Sequence, residues 1–153
     1  MLKQMVCAAA ILAAAISNAS AQNVDWRGSV LITAATDCAA INLSAGSIMN
    51  ARYRHPGLGD NGPSARISMI ANYFANNLSD PDGDFGSTFQ TVKGTVIGGG
   101  ARAYNASLRM ISRTPANITE STPTVVIRGI VRNFSRTPDN PSCRISFQMS
   151  VMR

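Results

Sequence analysis

The chain has 153 residues, of which 45% are hydrophobic, 14% are charged and 6% are aromatic, and its formal net charge is +6. The charged fraction is too low and the apolar fraction too high for a disordered chain. Three cysteines are too few for a disulfide-dense miniprotein, and the length suits one domain. Twelve arginines and only two lysines supply the positive charge, which excludes a flexible polylysine tail.

Residues 1–21 have the pattern of a secretory signal peptide. Lys3 supplies the positive charge, Met5–Ile16 forms an apolar run, and Ala19-Ser20-Ala21 is a cleavage motif of small residues. The run of twelve residues is too short to cross about 30 Å of hydrocarbon as a helix, so we expect cleavage rather than an uncleaved anchor. The sequence therefore predicts a secreted or periplasmic protein, with residues 22–153 as a single domain that has no transmembrane segment.

Two cysteines of the mature domain, Cys38 and Cys143, remain after cleavage removes Cys7. An exported chain meets an oxidising compartment, so we predict a Cys38–Cys143 disulfide. The loop it closes is about as long as the domain, and the chain-entropy model gives such a bridge on the order of 4–5 kcal/mol. The alternative is a redox pair of free thiols, which no CxxC spacing or flanking base supports.

Alternation of apolar and polar residues predicts a series of short strands. The last is the clearest, because Ile145, Phe147 and Met149 alternate with polar neighbours. Glycine- and proline-rich turns separate the segments. In chain order the predicted strands are Trp26–Ala34, Ser47–Tyr53, Thr88–Ile97, Tyr104–Arg113, Thr124–Phe134 and Cys143–Val151.

The segment 64–78 is ambiguous. Ile67, Ile70, Phe74 and Leu78 follow a helical spacing, whereas its aromatic and β-branched content favours strand. We favour strand and keep a short helix as the alternative.

About seven or eight short strands with regular turns predict an all-β, mainly antiparallel domain, either a small β-sandwich or a barrel-like fold. An outer-membrane barrel would need apolar outward bands and aromatic girdles, whereas the predicted outward faces carry arginine and serine. The predicted inward residues are Val30, Ile32, Leu108, Met110, Val125, Ile127, Ile145, Phe147 and Val151.

Residues for acid–base catalysis are scarce. The chain has one histidine, His55, and one glutamate, Glu120, and no serine lies in a G-x-S-x-G motif. His55 ends a predicted strand and is interpreted as a solvated turn residue. The sequence therefore predicts a protein that is not an enzyme and has no catalytic residues. The alternative is an exported hydrolase or inhibitor whose site lies in the turn region His55–Pro63.

The acidic loop Asp80–Gly86 is the one feature that resembles a metal site. Asp80, Asp82 and Asp84 alternate along it, as oxygen ligands of calcium do, but the loop lacks the glycine and glutamate of an EF-hand. Asx hydrogen bonding in an ordinary turn explains the same residues, and we favour it. The glycine-rich stretch Gly94–Ala101 lacks the order of a phosphate-binding loop and predicts a flexible β-turn or a bulge. We expect no metal and no cofactor.

Charge divides the mature chain into two halves. Residues 22–87 contain four arginines and six aspartates, a net −2, whereas residues 88–153 contain eight arginines and one lysine against two acids, a net +7. If their strands are neighbours, the outward arginines of the second half form an anion-binding face, the alternative being a solvated sheet face. Those arginines are Arg109, Arg113, Arg128, Arg132 and Arg144.

The first hypothesis for function is an exported, non-enzymatic β domain that acts in binding or structural interaction. Its partners would be an anionic envelope polymer, lipid headgroups or an acidic protein. Nucleic acid is not expected, because aromatic residues do not alternate with the arginines. A third hypothesis, besides the hydrolase or inhibitor, is a self-assembling envelope subunit that uses an exposed strand edge.

Overall fold

Eight antiparallel strands close into one barrel in the computed structural model, which describes residues 23–138 and 140–153. Each strand pairs with its sequence neighbours, and the last pairs with the first. The all-β antiparallel prediction is confirmed, and of its two forms the barrel is the one observed. The strands are β1 (Asp25–Thr36), β2 (Ile48–Arg54), β3 (Ala65–Ile70), β4 (Ala75–Asp80), β5 (Gln90–Ile97), β6 (Ala101–Thr114), β7 (Thr124–Arg132) and β8 (Arg144–Met152).

Helical structure in the described residues is limited to one 3-10 turn, Ala39–Ile41. Within the same residues, no helix has the length and apolar character needed to cross a membrane. The predicted signal peptide lies outside the described residues.

Inward side chains of all eight strands fill the barrel. An eight-stranded barrel is just wide enough for side chains to occupy its interior. The largest fully buried side chains include Trp26, Tyr53, Phe134 and Phe147. Eight of the nine predicted core residues are buried, and Met110 packs half-buried against the core. The period-two alternation therefore identified the core face correctly.

The segment 64–78 is a hairpin of β3 and β4, so the alternative of a short helix is wrong. The Ala71 N–H donates to the Phe74 carbonyl at 2.9 Å and closes the turn between them. Ile67 and Leu78 are cross-strand partners, and both are buried. The helical spacing combines core residues of two adjacent strands, Ile67 and Leu78, with Ile70, which is exposed at the end of β3.

The two ends of the barrel differ in their loops. The disulfide end contains the connections 37–47, 71–74, 98–100 and 133–143, and the histidine end contains the connections 55–64, 81–89 and 115–123. At the disulfide end Cys38 and Cys143 are bonded, with their Cα atoms 4.6 Å apart. The predicted disulfide is confirmed, and it ties the β1–β2 connection to the β7–β8 connection.

Candidate anion-binding site

The wall of the barrel carries most of the positive charge of the protein. Eleven basic residues lie on strands, against two acidic ones, Asp25 and Asp80. Asp80 is buried, whereas most of the strand arginines reach the outer surface. The remaining described acids lie in connections between strands. The outer wall is therefore cationic, and the acids concentrate at the ends.

A polar pocket of about 430 Å³ opens on the outer face of β2, β3, β4 and β5. We name it the arginine pocket. Every side chain that lines it is polar, and three of them are guanidinium groups. Its residues are Arg52, Arg54, Arg66, Ser68, Asn77, Ser79 and Thr95.

Strand register brings these residues together. Arg54 pairs directly with Arg66, and Arg52 pairs with Ser68 on the next row. Because neighbouring strands lie about 4.8 Å apart, long side chains on adjacent rows reach a common point. Ser68 is only 8% exposed although it faces outward. We infer that the arginine side chains rise around it and that it forms the floor of the pocket.

Asp25 on β1 holds two of the three arginines. Its carboxylate accepts hydrogen bonds from Arg52 Nη2 and Arg54 Nε. Burial would raise the pKa of Asp25, but the hydrogen bonds and charges of Arg52 and Arg54 outweigh it, so the pKa lies below its usual value of 3.8. Asp25 is therefore ionised at neutral pH and fixes the edge of the pocket.

The pocket keeps an excess of positive charge after this pairing. Arg66 makes no ion pair with any described residue, and the buried Arg52 Nε has no hydrogen-bond partner among them. Three guanidinium groups therefore face one carboxylate. Guanidinium groups match phosphate, sulfate and carboxylate oxygens in charge and geometry, and nearby hydroxyl and amide groups add donors.

The predicted arginine face is only partly assembled. Arg132 and Arg144 are cross-strand partners, and the Arg132 guanidinium carbon lies 3.9 Å from the centroid of the Phe89 ring. Arg109 approaches the same ring at 5.1 Å. Arg128 lies further along the same wall and donates from Nε to Gln148 Oε1 at 2.9 Å. Two of these four arginines thus make cation–π contacts with Phe89. Their guanidinium groups are therefore less available to an anionic ligand.

Arg113, which the alternation places on that face, lies elsewhere. A register shift between Met110 and Ser112 changes the phase of β6, so Arg113 pairs with the buried Ile127 and turns to the histidine end. There it forms an ion pair with Asp84 and donates to the Ala116 carbonyl at 2.9 Å. Burial opposes its charge, but Asp84 and Tyr53 outweigh burial and raise the pKa of Arg113.

His55 lies beside the same carboxylate as Arg113, with its Nε2 3.5 Å from Asp84 Oδ2. Its side chain is 19% exposed, so it is not the solvated turn residue that the sequence predicts. The Tyr53 hydroxyl is 3.4 Å from Asp84 Oδ1, and burial, followed by the charge of Asp84, raises the pKa of Tyr53. The Tyr53 hydroxyl is therefore harder to ionise than the hydroxyl of a free tyrosine, which disfavours it as a nucleophile.

The acidic loop uses its carboxylates within the protein. Asp80 accepts a hydrogen bond from the Asp82 N–H at 2.9 Å, as an Asx turn does, and another from the Gln90 side chain. Asp84 is bound by Arg113. In the described part of the chain, no group of three or more His, Cys, Asp or Glu residues is placed to hold a metal ion. Within the glycine-rich stretch, Gly94–Ile97 belong to β5, and Gly98, Gly99 and Gly100 form the turn to β6.

Sequence reasoning missed the arginine pocket, because the net charge of residues 22–87 is negative. The signal is Arg52-x-Arg54, whose spacing of two places both side chains on one face of a strand.

Comparisons of the chain with protein-family models, with curated proteins and with solved structures found no match.

Proposed function

We propose that this protein is an exported binding protein, and that its barrel wall binds an anionic polymer of the cell envelope through the arginine pocket. The observation that carries the proposal is the convergence of Arg52, Arg54 and Arg66 on one polar pocket that a single carboxylate, Asp25, only partly neutralises. Export rests on the predicted signal peptide.

An elongated ligand is favoured over a single small anion because the positive charge continues on both sides of the pocket. Arg27 on β1 pairs with Arg52, and Lys93 on β5 pairs with Ser79. Both flanking side chains are exposed. Basic groups on the three adjacent strands β1, β2 and β3, and again on β5, suit a polymer with repeated anionic groups. The pocket contains no aromatic side chain on which a nucleic-acid base could stack.

Binding of dextran sulfate, with neutral dextran as the uncharged control, tests the proposal. The double variant Arg54→Gln/Arg66→Gln removes two charges from the pocket, and Arg128→Gln/Arg132→Gln removes two from the opposite wall. We expect the first variant to weaken binding at least about tenfold at low salt, and the second to change it less than about threefold. Binding should also weaken as salt is added.

Equal loss in both variants would show that only net charge matters, and it would remove the pocket from the proposal. A larger loss in Arg128→Gln/Arg132→Gln would assign binding to the arginines beside Phe89. Unfolding curves of both variants check that the barrel is intact.

The other two hypotheses have less support. Self-assembly through a strand edge needs an unpaired strand, whereas each of the eight described strands is paired on both sides. A hydrolase would use His55 and Asp84, and His55→Ala would abolish its turnover. The raised pKa of Tyr53 disfavours its hydroxyl as the nucleophile of that site.

A further inference from the structure

A second cavity, a cleft of about 730 Å³, lies at the disulfide end of the barrel. Small-molecule sites occupy roughly 300–1,000 Å³ and are found in the mouths of β-barrels. About half of the side chains that line this cleft are apolar, whereas the arginine pocket has none. The apolar lining includes Ile41, Leu43, Met49, Phe74 and Val96.

Arg102 is the only charged residue among the described residues that line the cleft. It pairs with Val96, a core residue, and it lies two positions before Tyr104, which packs against the core. By the alternation of strand β6, Arg102 therefore lies on the inward-facing side of the barrel, at its rim. Arg102 is an exposed residue, so a ligand that enters the cleft can reach it.

The disulfide holds the walls of the cleft in place. The 3-10 turn that follows Cys38 contributes Ala40 and Ile41 to one wall, and the connection that precedes Cys143 contributes Thr137 to another. Because the bond joins these two connections, it limits how far they can separate before a ligand arrives. A cleft that is already ordered loses less conformational entropy on binding than a mobile one does.

We propose that this cleft binds a small amphipathic carboxylic acid, whose apolar chain lies against Ile41, Met49 and Phe74 and whose carboxylate pairs with Arg102. Charge complementarity identifies the occupant, because one guanidinium at the rim of an otherwise uncharged lining with a large apolar part fits one anionic head on an apolar body. The proposal is independent of the arginine pocket, which has different lining residues.

Titration calorimetry with decanoate, and with decanol as its uncharged match, tests the proposal. We expect saturable binding, with decanoate at least about fivefold tighter than decanol. Arg102→Gln should bring decanoate to within about twofold of decanol and leave the affinity for decanol unchanged. The control Arg144→Gln removes an exposed arginine from the outer wall and should change neither affinity.

A second variant locates the apolar chain. Ala40 is exposed and lines the cleft, so Ala40→Trp fills space there without disturbing the core. It should weaken both ligands at least about fivefold. Absence of saturable decanoate binding, or full affinity in Ala40→Trp, would overturn the proposal. If Arg66→Gln rather than Arg102→Gln abolishes the preference for decanoate, the carboxylate lies in the arginine pocket and the assignment to Arg102 is wrong.

Discussion

Substitution of Asp25 by asparagine should change stability and anion binding in opposite directions. Asp25 is the one carboxylate beside the arginine pocket, and its side chain is only 10% exposed. Asparagine preserves its size and one acceptor oxygen but removes the negative charge. The folded barrel loses one of the two hydrogen bonds from Arg52 and Arg54 and the attraction of the carboxylate charge, whereas the pocket gains net positive charge. We therefore expect a less stable protein that binds dextran sulfate more tightly.

The structure sets the size of both effects. A fully buried hydrogen bond to a charged group contributes about 1.5–3 kcal/mol. Arg52 is 36% and Arg54 22% exposed, and asparagine still accepts one bond, so we expect a loss of about 1–2 kcal/mol in the free energy of unfolding. Asp25 pairs with Arg54, and Arg54 with Arg66, so a ligand at Arg66 lies two strand spacings from the carboxylate, about 9.5 Å away. Coulomb repulsion in water at that separation is about 0.4 kcal/mol, or about twofold in affinity.

Urea unfolding and dextran sulfate titrations at low salt measure the two quantities on the same samples. Asp60→Asn is the matched control, because Asp60 is exposed in the 55–64 connection and forms no salt bridge with a described residue. It should change stability little. If Asp25→Asn binds dextran sulfate more weakly than the wild type does, the carboxylate is organising the arginines rather than opposing the ligand, and our account of the pocket is wrong.

Two further predictions concern acid stability and closure of the barrel. Because the folded-state pKa of Asp25 lies below 3.8, its ion pairs contribute stability above that pH and lose it as the pH falls through the folded pKa. The difference in unfolding free energy between the wild type and Asp25→Asn should therefore shrink below about pH 3.8, and a constant difference would contradict the ion-pair account. Gly28→Ala would place a Cβ 2.2 Å from the Ser150 carbonyl oxygen and 2.9 Å from the Val151 Cα, so the backbone of β8 must move. We expect the free energy of unfolding, measured in urea, to fall by about 3 kcal/mol in Gly28→Ala and to change little in the exposed neighbour Ser29→Ala. Equal stability of the two variants would show that β8 can move away from β1 at little cost.

The sequence was sufficient for most of the fold, because one physical signal specifies a barrel of this kind. Strands with one buried face must alternate with period two, and that alternation located six strands and the core. Periodicity alone could not resolve 64–78, since the core residues Ile67 and Leu78 of two strands combine with the exposed Ile70 into a helical spacing. Local sequence also cannot predict that β1 pairs with β8 to close the barrel. That pairing joins residues more than a hundred positions apart, such as Gly28 and Val151.

Arg113 shows why the sequence predicts the positions of site residues less well than it predicts the fold. Strict alternation places it with Arg109 on the outer wall, but the register shift after Met110 turns it towards Asp84. A bulge of one residue moves every later side chain of the strand to the opposite face. The sequence between Met110 and Ser112 contains no glycine or proline that would indicate such a bulge. At the histidine end the structure therefore brings together Arg113, Asp84 and His55. The sequence assigns these residues to three separate features, an arginine face, an acidic loop and a solvated turn.

The arginine pocket shows the limit of counting charge along a chain. Residues 22–87 are net negative, yet three of their four arginines, Arg52, Arg54 and Arg66, converge on one pocket. The sum misleads because it gives equal weight to strand and loop residues. A strand of a barrel fixes its outward side chains on a shared wall, whereas Asp60 and Asp82 lie in connections at the end of the barrel. For a barrel, the charge that a ligand meets on the wall is therefore the charge of the outward strand positions, and that charge is positive.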